Sequence, residues 1–397
     1  MATLRAMPAP PQPSEGPGAG ARVVALDVAR GLAILGTLAT NIWIFTDPQG
    51  LVGYLGGGTD AAATPPGWRA VELLAQQLAQ GKFLGLLTLM FGVGLELQRR
   101  SAAHTGRPWP GRYWVRALLL GLDGLLHYLL VAEFDVLMGY AVTAVVVAAL
   151  LATSERAQRR WLVGAAAVHG ALLALVTTAL LTAASPDDVD PRLDPNPYAD
   201  GSFGDLVLFR LENLALFRLE PVFIQALSIA AFLLGARLVR AGVLDDRGTR
   251  LRARLLALGA AALVADLALG LLGGTARLVL ARYGTAPVVA LGLLALVVEV
   301  VHRRSALGPL GRRLAEVGRT ALSCYVLQNL LAAALCYGWG LGLATRLGPD
   351  LRVPGTLLLF ALVAAAVVLA AHLWVRRAGR GPVEGLWRAS ARALGGR

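Results

Sequence analysis

The most apolar stretches of this chain carry side chains that hydrocarbon disfavours. Residues 24–45 hold Asp27, Arg30 and Asn41. An ionised group at the centre of a membrane helix costs at least about 2.5–3.5 kcal/mol on insertion scales, so such groups face a bundle interior or a wet cavity. At about 100° per residue, Arg30 and Asn41 lie about 20° apart around a helix axis, and Asp27 falls within about 60° of Arg30. The three share one stripe. Asp27 and Arg30 are three residues apart and placed to pair, and Asn41 sits about 16 Å further along. Two readings stand for this stripe. It is an ion pair that docks the first span on its neighbours, or it is the polar wall of a path across a membrane.

A second set lies in "RALLLGLDGLLHYLLVAEFD", where Asp123 and His127 are four apart on one helical face and Arg116 marks the start. An aspartate that holds one imidazole nitrogen leaves the other free for proton transfer; the plainer reading is a satisfied buried pair. A third set lies in "VGRTALSCYVLQNLLAAALCYGWG". Arg319 and Ser323 are one turn apart, and Tyr325, Gln328 and Asn329 share a face a turn further on. Ser and Gln serve as polar glue between helices, whereas Arg319 is placed to meet an anionic ligand. Glu133 and Asp135 read as solvated, near the far surface. Arg210, Glu212, Arg218 and Glu220 read as solvated ion pairs on an interfacial helix. Glu72, Gln76, Gln77, Gln80 and Lys82 either line an acceptor site or snorkel. Asp266, Glu299 and His302 read as packing partners.

These residues need elements that cross lipid. Of 397 residues, 56% are hydrophobic and only 16% charged, against about 25% charged in soluble domains. The mean hydropathy is +0.61. Apolar runs near the length of a bilayer crossing recur from end to end. They predict an all-α polytopic membrane bundle of about ten transmembrane helices, near 24–45, 81–98, 117–132, 135–152, 161–184, 221–239, 255–273, 285–302, 317–340 and 354–375. Residues 68–80 and 205–219 read as interfacial or re-entrant helices. The arginines concentrate in alternate connections, which places both termini in the cytoplasm. The plasma membrane is the expected location, with the bilayer itself as a partner. Residues 1–21, rich in Pro, Gly and Ala, read as a disordered cytoplasmic tail. The bundle then occupies 22–375, and 376–397 form a basic cytoplasmic tail.

The net charge of +12 is nearly all arginine beside apolar spans. That sets orientation and excludes nucleic acid as a partner, because no basic-aromatic reader motif accompanies it. Cys324 and Cys336 are about 18 Å apart along one helix, beyond the roughly 7 Å reach of a disulfide. No Cys/His spacing suggests a metal site.

Several blocks resemble a known family. "RVVALDVARGLAILGTLATNI" is similar to its opening Arg-x-x-x-Leu-Asp-x-x-Arg-Gly signature with the following Asn. "GKFLGLLTLMFGVGLELQ", "RALLLGLDGLLHYLLVAEFDVLMGYAV", "VGRTALSCYVLQNLLAAALCYGWGLGL" and the closing "GPVEGLWR" follow in the same order. On these blocks the chain is identified as a member of the YeiB-like group of bacterial multi-pass membrane proteins, known mainly as a domain of unknown function. The first signature also resembles membrane acyltransferases of the heparan-alpha-glucosaminide acetyltransferase type and bacterial sugar O-acetyltransferases. That resemblance implies acyl-CoA as co-substrate on the cytoplasmic side and transfer to a hydroxyl or amine outside, on a small-molecule, glycan or lipid-linked acceptor. Arg30, Arg116 and Arg319 would hold the CoA phosphates, with Asp27, Asn41, Ser323, Tyr325 and Gln328 completing the wall. The heparan-type enzymes carry a catalytic His in the loop after the first span. Residues 46–67 hold none, so His127 is the expected base, with Asp123 orienting it. A transporter or flippase of a small anionic or lipid-linked solute uses the same stripe without a base. A structural membrane protein uses it only for packing. The sequence leaves an oligomer open.

Overall fold

Leu, Ala and Val runs without water have one local solution. The backbone must satisfy its own hydrogen bonds, and helices do so within each segment. The computed structural model describes residues 17–56, 63–182 and 192–394, and among the described residues every regular element is a helix. In chain order they are α1 (Pro17–Phe45), α2 (Gly50–Leu55), α3 (Pro66–Ala79), α4 (Lys82–His104), α5 (Tyr113–Leu130), α6 (Leu137–Leu150) and α7 (Glu155–Thr182). There follow α8 (Phe203–Glu212), α9 (Leu214–Phe217), α10 (Leu219–Phe223), α11 (Gln225–Arg240), α12 (Thr249–Leu272), α13 (Thr275–Leu280) and α14 (Ala286–Arg303). The last are α15 (Pro309–Arg319), α16 (Ala321–Cys336), α17 (Leu343–Arg346), α18 (Pro349–Ala378) and α19 (Pro382–Ala393). A π-helical turn, Ala281–Thr285, joins α13 to α14. Most of the expected tail 1–21 lies outside the described residues, and α1 begins at Pro17.

The chain is a multi-pass membrane protein. Among the described residues six helical segments are long and apolar enough to cross a membrane, or up to seven when the bent pair Leu214–Phe223 and Gln225–Arg240 is one span. The expected spans on α6 and α16 are shorter, at 14 and 16 residues. They reach only about 21 and 24 Å, short of a core of about 30 Å. Both pack deep in the bundle, and α16 carries Ser323, Tyr325, Gln328 and Asn329.

Helix α1 is the central post. Two-thirds of its apolar window (67%) is buried, against 11% for α7, 17% for α12 and 22% for α18. Those three present Leu and Val outward, as at Leu175, Val264 and Leu362. The main core joins α1, α4, α6, α11, α14 and α16 through residues such as Leu38, Leu86, Ala144, Phe232, Leu294 and Cys324. A second cluster at the opposite end gathers Ile42, Phe45, Ala132, Tyr198 and Tyr337. Helices α1 and α15 touch backbone to backbone. A Cβ on Gly31 would stand 1.9 Å from the Leu314 carbonyl, and one on Gly318 1.8 Å from that of Asp27. Small residues at such crossings are what let membrane helices approach closely.

The ninth expected span is broken at Thr320, where α15 ends and α16 begins. The break leaves the first N–H groups of α16 without intrahelical partners. The sequence reads 376–397 as a tail, but residues 382–393 form α19, which packs against α16 and α5.

Glu133 and Asp135 are fully buried, not solvated. The Arg210 Nε donates to Glu133 Oε2 at 3.2 Å, and its other nitrogens donate to the carbonyls of Leu129 and Val131. Tyr198 donates to Glu133 Oε1 at 2.7 Å. Arg218 lies over the Tyr128 ring, 4.1 Å from its centroid. Residues 205–219 therefore do not form a solvated interfacial helix throughout. Burying Glu133 requires a cation, and Arg210 supplies it. The resulting clamp fixes the turn between α5 and α6 and holds Asp135 in place.

Candidate functional site

The arginines converge first. A cavity of about 710 Å³ is lined by Arg30, Arg116, Arg319, Arg380 and Arg388, with Asp27 and Glu384 the acidic groups among them. We call this the basic end. Arg30 donates to Asp27 Oδ1 and to the Gly318 carbonyl, both at 3.3 Å. The expected i,i+3 pair is thus present, and it also ties α1 to the end of α15. Arg116 donates to Gln98. Arg319 and Arg388 are exposed at the cavity. Five cations against two carboxylates give the cavity a surplus of positive charge, and Arg presents a rigid fork suited to phosphate or carboxylate.

One wall of this cavity is closed by the C-terminal helix. Glu384 Oε1 accepts the N–H groups of Leu322 and Ser323 at 2.8 and 3.2 Å, and Oε2 accepts the Ser323 hydroxyl at 2.5 Å. A carboxylate here satisfies the open start of α16 and complements its dipole. Ser323 is therefore buried behind the cavity, engaged by Glu384 and by the Val383 N–H.

The expected Asp123–His127 pair does not form. The carboxylate of Asp123 accepts the indole N–H of Trp387 on α19. His127 is turned inward and is 2% exposed. Its Nδ1 lies 3.3 Å from Asp135 Oδ1, although neither atom has an aligned hydrogen bond. The reason is geometric. Residues four apart on a helix are offset by about 40°, and here α19 stands over one position while α16 and the α5–α6 turn enclose the other.

Around His127 the polar groups form a layer. Its ring stacks on Tyr325 with centroids 4.8 Å apart and planes 28° apart. Its Nε2 lies 3.0 Å from Asn329 Nδ2, and Asn41 Nδ2 donates to Asn329 Oδ1 at 3.2 Å. With the Asn329 amide oriented so, Nε2 accepts and the ring proton sits on Nδ1, facing Asp135. Gln328 donates to the Thr37 hydroxyl at 3.3 Å, joining α16 to α1 beside the layer.

Beyond the layer lies a smaller pocket of about 110 Å³, lined by Thr40, Asn41, Asp135, Glu220, Arg282 and others. Arg282 pairs with Glu220 at 2.6 Å, and Tyr283 donates to the same carboxylate oxygen at 2.7 Å. The two cavities have one lining residue in common, Tyr325. His127 lines neither.

Of the expected site residues, Asp27, Arg30, Arg116, Arg319 and Tyr325 meet in the basic cavity, while Asn41 faces the other side. Sequence reasoning missed Asp135 as the neighbour of His127, Glu384 and Trp387 as the closing wall, and the Glu220–Arg282 pair. Asn329 was legible, because it is one turn from Tyr325 on the same stripe.

Residues 238–393, from the end of α11 through α19, match the family described as Protein of unknown function (DUF418). The chain is similar to Uncharacterized protein YeiB of Escherichia coli (strain K12), with 29% identity over 92% of this chain and 95% of that one. It is similar to Uncharacterized protein YxaH of Bacillus subtilis (strain 168), with 25% identity over 93% and 94% of the two chains. On these matches the chain is similar over most of its length to YeiB and YxaH, and its C-terminal part, from the end of α11 through α19, resembles the DUF418 family.

Proposed function

We propose that this protein is a membrane acyltransferase that takes an acyl group from acyl-CoA at the basic end and passes it to a hydroxyl or amine at the opposite end. In this reading both termini and the basic cavity are cytoplasmic, the short helices α5, α6 and α16 count among about ten spans, and the membrane is the plasma membrane. The observation that carries it is the single shared wall. A cavity rich in arginine and a smaller pocket that holds Asn41, Asp135 and the Glu220–Arg282 pair both reach Tyr325, whose ring stacks on His127. A volume of about 710 Å³ lies within the roughly 300–1,000 Å³ typical of small-molecule sites, and the surplus of guanidinium groups suits a polyphosphate.

In the proposed step the acceptor oxygen or nitrogen attacks the thioester carbonyl. A C–O or C–N bond forms, the C–S bond breaks, and the acceptor proton leaves with the CoA thiol. His127 carries that proton, with Asp135 in the orienting role expected of Asp123. Tyr325 must turn aside for the imidazole to reach either substrate. Arg30, Arg116 and Arg319 bind the phosphates. Enclosure at the layer keeps water from the thioester.

The test uses the purified protein in lipid nanodiscs with acetyl-CoA. The wild type is expected to bind it and release CoA slowly, Arg30→Ala to lose binding, and His127→Ala to bind without turnover. Folded proteins that bind no acyl-CoA would overturn the reading. A second reading, transport of a small anionic solute, is favoured by the position of His127, which lines neither cavity. It requires solute movement that survives His127→Ala and is lost with Arg30→Ala.

A further inference from the structure

The small pocket continues sideways. Gly81, Leu84, Ile224 and Arg282 line it and also line a slot of about 210 Å³ between α4, α7, α11 and α14. The slot is walled by apolar side chains, among them Leu89, Leu227, Ala231, Leu234 and Leu291. Its outer wall is Leu162 and Ala166 of α7, the least buried of the long apolar segments. Apart from Ser228, the polar side chains that line it have partners of their own. The Thr88 hydroxyl donates to the Leu84 carbonyl at 2.7 Å, and Arg282 and Tyr283 both bind Glu220. Gly81 makes the join. Its φ of +75° and the 2.6 Å that would separate a Cβ from the Arg282 carbonyl both exclude a larger residue, so the α3–α4 corner packs its backbone directly on the π-helical turn where pocket and slot meet.

We infer that the acceptor is an amphiphile, which enters from the bilayer, lays one apolar chain in this slot and presents a hydroxyl or amine head in the small pocket. An apolar slot that abuts lipid and ends at a paired charge beside Asn41 and Asp135 has the polarity of such a molecule along its length. A freely soluble glycan would gain nothing from the slot. The small pocket, at about 110 Å³, admits the reacting end of a head group and little more. The chemistry assigned to that head rests on the acyl-transfer reading; occupation of the slot does not.

The test uses a dodecyl glucoside with a diazirine in its alkyl chain, photolysed with the protein in phosphatidylcholine nanodiscs. Adducts are mapped by peptide mass spectrometry. They are expected to concentrate on the slot, at Leu89, Leu227 and Ala231, and to be displaced by plain dodecyl glucoside but not by glucose. Ala231→Trp, which fills the slot, is expected to cut them at least tenfold. Ala166→Trp narrows the entrance from the lipid side of α7 and covers the case in which Ala231→Trp does not fold. Adducts spread evenly over α7, α12 and α18, or adducts indifferent to both folded variants, would overturn the inference. Acetyl-CoA binding is measured on the same samples. Slot labelling without CoA binding removes the acyl-transfer reading and leaves the slot. CoA binding with scattered labelling does the reverse.

Discussion

Replacing Glu384 with alanine should loosen the C-terminal helix without unfolding the bundle. Helix α19 has no buried residue of its own. It is held over the basic cavity chiefly by Glu384 on the start of α16 and by Trp387 on Asp123. The alanine variant loses three hydrogen bonds to one carboxylate. Hydrogen bonds to a charged group contribute about 1.5–3 kcal/mol each when buried, and a carboxylate at a helix start about 0.3–1 kcal/mol when exposed. Glu384 is only partly buried, and water replaces part of what is lost, so the docking of α19 should weaken by about 2 kcal/mol in all. At about 1.4 kcal/mol per tenfold, the undocked fraction rises roughly thirtyfold. Hydrogen exchange of the 382–393 amides should accelerate by that factor, while exchange in α1 and α4 stays fixed, because local opening need not follow global opening. Leu386→Ala removes an exposed side chain and should change nothing. Equal exchange in Glu384→Ala and Leu386→Ala would refute the assignment of Glu384 as the latch.

Other perturbations test the scaffold. Arg210→Met leaves Glu133 buried without its cation and should lower stability by about 3–5 kcal/mol, read as a large fall in thermal midpoint in nanodiscs; Glu212→Ala, at an exposed position, should stay within about 0.5 kcal/mol of wild type. Gly318→Leu must push α15 off the Asp27 carbonyl and should prevent accumulation of folded protein, whereas Gly94→Ala meets no atom within 4 Å and should be tolerated. In a protein lacking both cysteines, Thr40→Cys should react with a membrane-impermeant thiol reagent from the basic end only when Tyr325→Ala is also present. At the α15–α18 contact, burial alone would raise the Glu316 carboxyl, but Arg313 and His372 outweigh it and hold it below its usual range. Stabilisation of that contact is therefore present above the ordinary carboxylate pKa and lost as pH falls through the lowered value, so the protection factors of the 309–319 amides, taken against the intrinsic exchange rate at each pH, should fall in acid for wild type and stay flat for Glu316→Gln.

The class of fold was legible because lipid leaves few choices: apolar runs of bilayer length read as helices. The Asp27–Arg30 pair was legible because both residues sit on one regular helix, where angle and rise are set. Asp123 and His127 share such a helix too, yet spacing reports only that two side chains are able to meet. Which partner each takes depended on α19, read as a tail, and on a turn whose Asp135 read as solvent-facing. Glu133 and Arg210 misled for the same reason. Their separation of 77 residues has no period to detect, and a charge read one residue at a time looks solvated until its counter-charge is found.

His127 is the hinge between the enzymatic and the transport readings. The imidazole is stacked on one ring and bonded through Nε2 to one amide, while its Nδ1 has no aligned partner; a base enclosed in this way does no chemistry until a neighbour moves. Asn329 is held from both sides, by His127 and by Asn41, so moving it breaks two contacts. Tyr325 alone lines both cavities, and in the acyl-transfer reading its rotation is the movement that bares His127. A transporter would gain from that rotation but has no need of a histidine behind the ring. An acyltransferase needs both in the same place, since the donor and acceptor must meet at a base that is otherwise kept from water. The coincidence of barrier and base at Tyr325 and His127 is what weighs toward transfer.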